Sequence, residues 1–214
     1  KTTLFESTMN EQKDLWEKLA KSNSKYYINS DKGKGITDEE FRESGRLAVK
    51  QFVLDDPYFR FGTFVEIGCG TGRMTEFISW NFEKVYALDI SGEMIRQAKE
   101  RLKDIHNIEF IETDGATIPL EDGSVDYVFS YLVFQHIKTK EMVEQNFMEV
   151  SRILKMGGMF KVLLRTDEQK DLSPWWSGVH YDGESIKEIC DNVGLNMVKL
   201  EYVKDYAMWA WLQK

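Results

Sequence analysis

The chain has 214 residues, 42% of them hydrophobic and 13% aromatic, which is enough for one domain with a sizeable core. Its net charge of -8 argues against broad binding to nucleic acid or to an anionic membrane, because both partners favour a basic surface. The two cysteines exclude a disulfide framework, and the absence of a signal-peptide pattern or of an apolar run of about 18 residues adds to the expectation of a cytoplasmic protein.

The first 60 residues are predicted to form a helical cap. Apolar residues between 15 and 19 indicate a first helix, which the aromatic run at 26–28 interrupts. Thr37 and Glu40 have the spacing of a capping box, in which each side chain bonds the other residue's backbone amide, so a second helix is predicted to begin there. One face of this second helix carries, at helical spacing, Phe41, Gly45, Ala48 and Phe52.

From residue 63 onwards the hydrophobic pattern alternates between short strands and amphipathic helices. The predicted strands are 63–67, 84–88, 108–111, 125–130, 158–164, 195–203 and 206–212. The predicted helices are 72–81, 92–103, 140–154 and 184–193. Strands separated by helices imply a mostly parallel sheet, whereas the last two strands, with no helix between them, predict a hairpin at its edge. The sequence thus predicts an α/β core over residues 61–214.

A glycine-rich turn joins the first of these strands to the helix that follows it. Gly68, Gly70 and Gly72 stand at alternate positions, where glycine permits a sharp reversal and a close approach of the backbone to a ligand. Asp89 ends the next strand about 20 positions later, and its carboxylate could accept hydrogen bonds from ribose hydroxyls. A strand, a glycine turn, a helix and a following acidic residue are typical of a nucleoside-cofactor site.

The details of the turn favour a cationic adenosyl cofactor over NAD. The spacing is Gly-x-Gly-x-Gly, and Arg73 occupies the position where the dinucleotide motif requires its last glycine. Glu66 lies at the mouth of the strand, where a carboxylate is unfavourable for a pyrophosphate but suits a positively charged ligand. Nicotinamide oxidoreduction is kept as a distant alternative.

The ends of the third and fourth strands should face the same crevice. Asp114 could accept a hydrogen bond from an adenine amino group, although an Asp-Gly pair is also a common turn. Ser130 and Tyr131, after the fourth strand, suit contact with cofactor or substrate. The predicted cofactor-binding residues are Glu66, Gly68, Cys69, Gly70, Thr71, Gly72, Arg73, Asp89, Ile90, Met94, Asp114, Gly115, Ser130 and Tyr131.

Residues for catalysis and substrate binding carry weaker signals. His136 is a candidate for proton transfer near neutral pH, or it pins the following helix. Aromatic residues near the start of the chain and in the loop from Arg165 to Tyr181 could wall a pocket or simply pack. The predicted substrate-binding residues are Tyr26, Tyr27, Gln135, Arg165, Trp175, Trp176 and His180. No metal site is predicted, because the three histidines share no ligand spacing.

Five segments, taken in order, resemble the motifs of class I S-adenosylmethionine-dependent methyltransferases over about residues 63–164. They are Val65–Gly72, Leu88–Ser91, Asp114, Leu120–Val128 and Leu154–Gly158. The resemblance implies a Rossmann-like, seven-stranded sheet with helices on both faces and an antiparallel last strand. It also implies S-adenosylmethionine as cofactor, S-adenosylhomocysteine as product, and a glycine turn that cradles the cofactor's amino acid part. Asp89 would then hold the ribose hydroxyls and Asp114 would bind the adenine.

The implied activity is methyl transfer by in-line displacement, with a small molecule as the expected acceptor. The acidic charge and short length favour that class over nucleic acid. A methyltransferase acting on a protein side chain or terminus, and a non-catalytic adenosyl-binding module, are the alternatives. The acceptor atom and the oligomeric state are left open.

Overall fold

The computed structural model describes residues 3–30, 33–167, 178–203 and 206–214. Their strands form one seven-stranded sheet in the order β3-β2-β1-β4-β5-β7-β6. The first five strands pair in parallel, and β7 runs antiparallel to both β5 and β6. The strands are β1 Thr63–Ile67, β2 Lys84–Asp89, β3 Ile108–Glu112, β4 Val125–Ser130, β5 Leu154–Arg165, β6 Asn196–Val203 and β7 Ala207–Gln213. The predicted mostly parallel sheet with an antiparallel last strand is confirmed.

The helices occur where the hydrophobic periodicity predicts them. They are α1 Leu4–Ile28, α2 Asp38–Val49, α3 Thr75–Ser79, α4 Gly92–Arg101, α5 Lys140–Ile153 and α6 Gly183–Val193, with a π turn at Lys50–Leu54 and a 3₁₀ turn at Phe134–His136. Helix α3 is shorter than the predicted 72–81, because Gly72 has a φ of 79° and belongs to the preceding turn. The predicted caps are present: the Thr37–Glu40 capping box opens α2, and Ser91 Oγ accepts the amide of Met94 in α4.

Two local predictions are wrong. The aromatic run at 26–28 does not interrupt the first helix: α1 is kinked earlier, at Asn23, where φ is -164°. The side chain of Asn23 accepts the backbone amide of Tyr26 and so replaces a helical hydrogen bond, which lets the helix resume. The fifth strand begins earlier than the predicted 158: β5 starts at Leu154, so Gly157 and Gly158 lie within it.

Two apolar layers cover the sheet. Phe147 of α5 and Phe160 of β5 belong to the larger one, and Phe64 of β1 and Phe77 of α3 to the other. Both layers sit directly against the parallel strands, which are therefore buried on two faces. This arrangement leaves the carboxyl ends of the strands as the place where loops and α1 can enclose a ligand.

A buried ion pair attaches the segment after α2 to the sheet. Lys161 and Asp56 form a salt bridge with side-chain exposures of 4% and 0%. Trp211 Nε1 donates to Asp56 Oδ2 at 2.7 Å, and the rings of Trp209 and Trp211 lie 4.8 and 4.7 Å from the Lys161 ammonium. These contacts offset part of the cost of removing two charges from water, and they fix where α2 approaches the site.

Candidate functional site

A cavity lies at the carboxyl ends of the parallel strands, beside β1, where the strand order reverses. Ligands of open α/β sheets bind at this position, because loops from neighbouring strands diverge there. The predicted site residues that the cavity brings together are Tyr27, Glu66, Gly68, Cys69, Gly70, Arg73, Asp89, Ile90, Met94, Asp114, Gly115, Tyr131 and His136.

The glycine turn forms one wall of the cavity. Gly68, Gly70 and Gly72 have φ values of 76°, 55° and 79°, which other residues rarely adopt. A Cβ on Gly70 would lie 2.8 Å from Ile28 Cδ1 of α1, so no side chain fits between the turn and the helix above it. The amides of Gly68 and Cys69 both donate to the carbonyl of Leu88, at 2.8 and 2.9 Å, which holds the turn against β2.

Asp89 connects the glycine turn with α4. Its Oδ2 accepts the amide of Gly70 and its Oδ1 accepts the amide of Ser91, both at 2.9 Å. Part of its surface faces the cavity, but protein surrounds the carboxylate on its other sides. Burial raises the pKa of Asp89 to about 6, against the lowering effect of these backbone hydrogen bonds.

Glu66 and Arg73 lie side by side beneath the turn. Glu66 is 5% exposed and accepts a hydrogen bond from Thr75 Oγ1 at 2.5 Å; burial raises its pKa to about 7, although Thr75 and Arg73 lower it. Arg73 is 6% exposed, and burial lowers the pKa of its guanidinium. Its Nε has no partner among the described residues, and its Nη1 reaches Ser44 Oγ only at 3.4 Å. The cavity wall therefore holds a buried cation whose hydrogen bonds are incomplete.

Asp114 shapes the loop after β3. Its Oδ1 accepts the amides of Ala116 and Thr117 at 2.8 and 2.7 Å. Partial burial alone would raise the pKa of Asp114, but these backbone donors hold it below its usual value. Asn146 of α5 donates to the carbonyl of Gly115 at 2.7 Å, so the loop is fixed from the other side as well.

Tyr131 and His136 follow β4 and line the opposite wall. Tyr131 stacks on Trp209 with ring centroids 5.6 Å apart, and it lies 5.0 Å from the ring of Phe52. His136 is 7% exposed, meets the edge of Trp16 at 5.1 Å and lies 3.2 Å from Gln135 Nε2. Its ring is thus held by neighbours while one side faces the cavity.

Seven predicted residues are described but do not line this cavity: Tyr26, Thr71, Gly72, Ser130, Gln135, Arg165 and His180. Ser130 Oγ donates to the carbonyl of Ile67 at 3.0 Å, within the sheet, and Arg165 Nε donates to Asp167 at 2.6 Å. The side chain of Gln135 contacts the ring of His136, with 3.2 Å between the two Nε2 atoms. Two others, Trp175 and Trp176, lie outside the described residues.

Sequence reasoning missed the contribution of the first half of α1. Met9, Gln12 and Trp16 all line the cavity, and Glu17 accepts hydrogen bonds from Ser91 Oγ and the Glu93 amide at 2.8 and 3.0 Å. Positions 9, 12 and 16 share one helical face, and this spacing could have indicated that the three side chains point the same way. Helical spacing alone, however, does not show whether a face contacts a ligand or packs against the protein. Sequence reasoning also missed Asn146.

Within the ranges that the structure describes, no three histidine, cysteine or acidic side chains form a group that could hold a metal ion. The described helices also include none that is long and apolar enough to span a bilayer.

Comparison with known proteins matches the part of the chain that holds the glycine turn and the first five strands. The family described as "Methyltransferase domain" matches residues 65–162, from β1 to β5. A malonyl-[acyl-carrier protein] O-methyltransferase of Marinomonas sp. is 27% identical over 145 residues, which are 66% of this chain and 52% of that protein. The chain spans about half the length of the curated relatives it matches.

Solved structures share the fold at low sequence identity. A Leishmania major S-adenosylmethionine-dependent methyltransferase is similar over 97% of this chain and 83% of its own, with a TM-score of 0.73 and 14% identity. Phosphoethanolamine N-methyltransferase 1 of Haemonchus contortus, solved with phosphoethanolamine and S-adenosylhomocysteine, is similar over 82% of this chain and 36% of its own, with a TM-score of 0.64 and 18% identity. The matched methyltransferase domain, the ordered motifs, the sheet and this cavity together support a relationship to the class I S-adenosylmethionine-dependent methyltransferases.

Proposed function

We propose that the chain binds S-adenosylmethionine in this cavity and transfers its methyl group to a small molecule. One observation carries the proposal: a bare glycine turn lies between an incompletely bonded, buried guanidinium at Arg73 and a partly exposed carboxylate at Asp89. The cofactor has a carboxylate at one end and ribose hydroxyls further along, so it complements these two groups in order.

The turn and its neighbours fit the amino acid half of the cofactor. Arg73 Nε has no partner among the described residues, and a carboxylate is the ligand that completes a buried guanidinium with charge-assisted hydrogen bonds. Glu66, whose pKa is raised by burial, would be stabilised in its ionised form by the cofactor's ammonium and sulfonium groups. The absence of side chains at Gly68 and Gly70 leaves room for the backbone of the turn to approach the ligand.

The strand ends fit the nucleoside half. Each carboxylate oxygen of Asp89 accepts one backbone amide, and a carboxylate oxygen can accept a second donor, so both ribose hydroxyls have acceptors available. Asp114 is fixed by two backbone amides close to the side chains of Ile90 and Met94, which supply an apolar surface for the adenine ring.

When bound, the cofactor supplies an activated methyl group, so the protein has to position the acceptor and exclude water. Helix α1 covers the cavity, and its Ile28 side chain closes the space above Gly70. Tyr27, Tyr131 and His136 lie on the walls and would contact the acceptor. Proton transfer by His136 stays a prediction, as do the substrate roles of Arg165 and His180.

A small-molecule acceptor is supported by the cover that α1 gives the cavity and by the relatives. Met9, Gln12 and Trp16 of α1 line the cavity, and the curated relatives include a demethylmenaquinone methyltransferase from Staphylococcus haemolyticus. We further propose residues 1–60 as a helical cap and 61–214 as the catalytic core. A cytoplasmic location stays a prediction that rests on cysteine usage, and both Cys69 and Cys190 are free and buried.

Calorimetry with S-adenosylhomocysteine tests the binding site. We expect one site per chain, and a loss of affinity of about tenfold or more for Asp89→Asn, because the hydrogen bonds from ribose would lose their charged acceptor. Asp104→Asn, at an exposed acid in the turn after α4, is the matched control and should bind like the wild type. No binding by the wild type would refute the proposed function.

A labelled methyl group tests the acceptor class. Incubation of the protein with methyl-labelled S-adenosylmethionine and a cell extract, followed by size separation, should place the label in the low-molecular-weight fraction. Label confined to protein would contradict the small-molecule proposal and support action on a side chain or terminus. Binding of the cofactor without any labelled product would support a regulatory module instead.

A further inference from the structure

Gln12 presents a buried hydrogen-bond acceptor to the cavity. Its side chain is 5% exposed and lines the cavity wall. Its Nε2 donates to the carbonyl of His136 at 3.2 Å, which fixes the orientation of the amide group. Its Oε1 has no partner among the described residues. Because a buried amide oxygen is costly to leave unpaired, this atom points to a hydrogen-bond donor on the molecule that fills the cavity.

Two contacts beside Gln12 show which part of the cavity α1 covers. Lys13 pairs with Glu112, the last residue of β3, at 2.5 Å. Glu17 accepts hydrogen bonds from the start of α4, which directly follows β2. Helix α1 therefore crosses the ends of β2 and β3. The two carboxylates assigned to the nucleoside lie at these ends, because Asp89 is the last residue of β2 and Asp114 follows β3. The amino acid half of the cofactor belongs at the far end of α1, below Ile28.

We propose that Gln12 Oε1 accepts a hydrogen bond from the adenosyl half of the cofactor, donated by the adenine amino group or by a ribose hydroxyl. The inference rests on the proposed function and deepens it. Both groups are donors, so an amide oxygen suits either one. The sheet then binds the nucleoside from one side through its strand ends, and α1 binds it from the other through Gln12.

Two ligands that share the nucleoside test the proposal by calorimetry. S-adenosylhomocysteine carries the amino acid group, and 5′-methylthioadenosine lacks it. Gln12→Leu should weaken both ligands by the same factor, about fivefold, as expected for one neutral hydrogen bond. Arg73→Met should weaken S-adenosylhomocysteine and leave 5′-methylthioadenosine unchanged. Glu11→Leu, on the exposed face of the same helix, is the matched control and should change neither affinity.

Urea unfolding without ligand separates a binding role from a structural one. Gln12→Leu removes the hydrogen bond to the His136 carbonyl, but it also removes an unpaired buried oxygen, so the unliganded protein should keep its stability. If the leucine variant does not fold, Gln12→Met is used in its place. Unchanged affinity for both ligands overturns the proposal, and so does a loss confined to S-adenosylhomocysteine. An affinity loss matched by an equal loss of unliganded stability also overturns it. If the wild type binds neither ligand, the proposed function itself fails.

Discussion

Glu66→Gln should make the unliganded protein more stable at high pH and leave it nearly unchanged at low pH. Glu66 is 5% exposed, and burial raises its pKa from the ordinary 4.5 to about 7. Because the folded protein holds the Glu66 proton more tightly than the unfolded chain does, the free energy of unfolding is highest below pH 4.5 and falls as the pH rises through 7. Since one pKa unit corresponds to about 1.4 kcal/mol, the loss by pH 8 is about 3 kcal/mol.

Glutamine imitates the neutral carboxyl group and can still accept the hydrogen bond of Thr75 Oγ1. The free energy of unfolding of the variant should therefore exceed that of the wild type by about 3 kcal/mol at pH 8 and by less than about 1 kcal/mol at pH 5, and the two should converge below pH 4.5. Asp89, whose pKa is raised to about 6, is present in both proteins, so the difference between them reports Glu66 together with its repulsion by the Asp89 carboxylate.

Urea unfolding followed by tryptophan fluorescence at pH 5, 6, 7 and 8 measures this difference; Asp104→Asn, an exposed substitution, should show none. A difference that stays constant over this range would refute the reasoning, because it would mean that Glu66 does not titrate there. Saturating S-adenosylhomocysteine should reduce the advantage of the variant, because the ligand's ammonium group favours the ionised carboxylate of the wild type.

Three further outcomes follow from the structure. Gly70→Ala should abolish ligand binding and lower stability by about 1–3 kcal/mol, because its φ is 55° and a Cβ would meet Ile28; ligand titration and urea unfolding measure both effects. Lys161→Met should cost about 3–5 kcal/mol by leaving the buried Asp56 carboxylate without a cation, and the double variant with Asp56→Leu should recover much of that loss in the same unfolding assay. Burial raises the pKa of the Cys69 thiol well above its ordinary value, so alkylation by iodoacetamide at pH 8 should be slower than for a free thiol and slower still with ligand, as mass spectrometry over time would show.

The order of strands and helices was predictable because each depends on local pattern. Each local structure depends on residues only a few positions apart, as in the apolar alternation, the caps at Thr37 and Ser91 and the glycines at 68–72. The parallel sheet then follows from the way strands and helices alternate along the chain. The convergence of Glu66 and Asp89 was predictable for the same reason, since parallel strands end at one edge of their sheet.

The role of α1 could not be predicted in this way. Nothing near Gln12 indicates that its amide will meet the carbonyl of His136, which is 124 positions away, or that Glu17 will accept hydrogen bonds from the start of α4. The stack of Tyr131 on Trp209 likewise joins β4 to β7 across the sheet.

By itself, the sequence determined the α/β class, the glycine turn and the type of cofactor, because these depend on residue types at fixed local spacing. Only the tertiary structure decided which side chains enclose the cavity and which buried groups remain unpaired. Contacts between distant segments, such as α1 over the ends of β2 and β3, form only when the whole chain packs, so the local periodicity of the sequence does not indicate them.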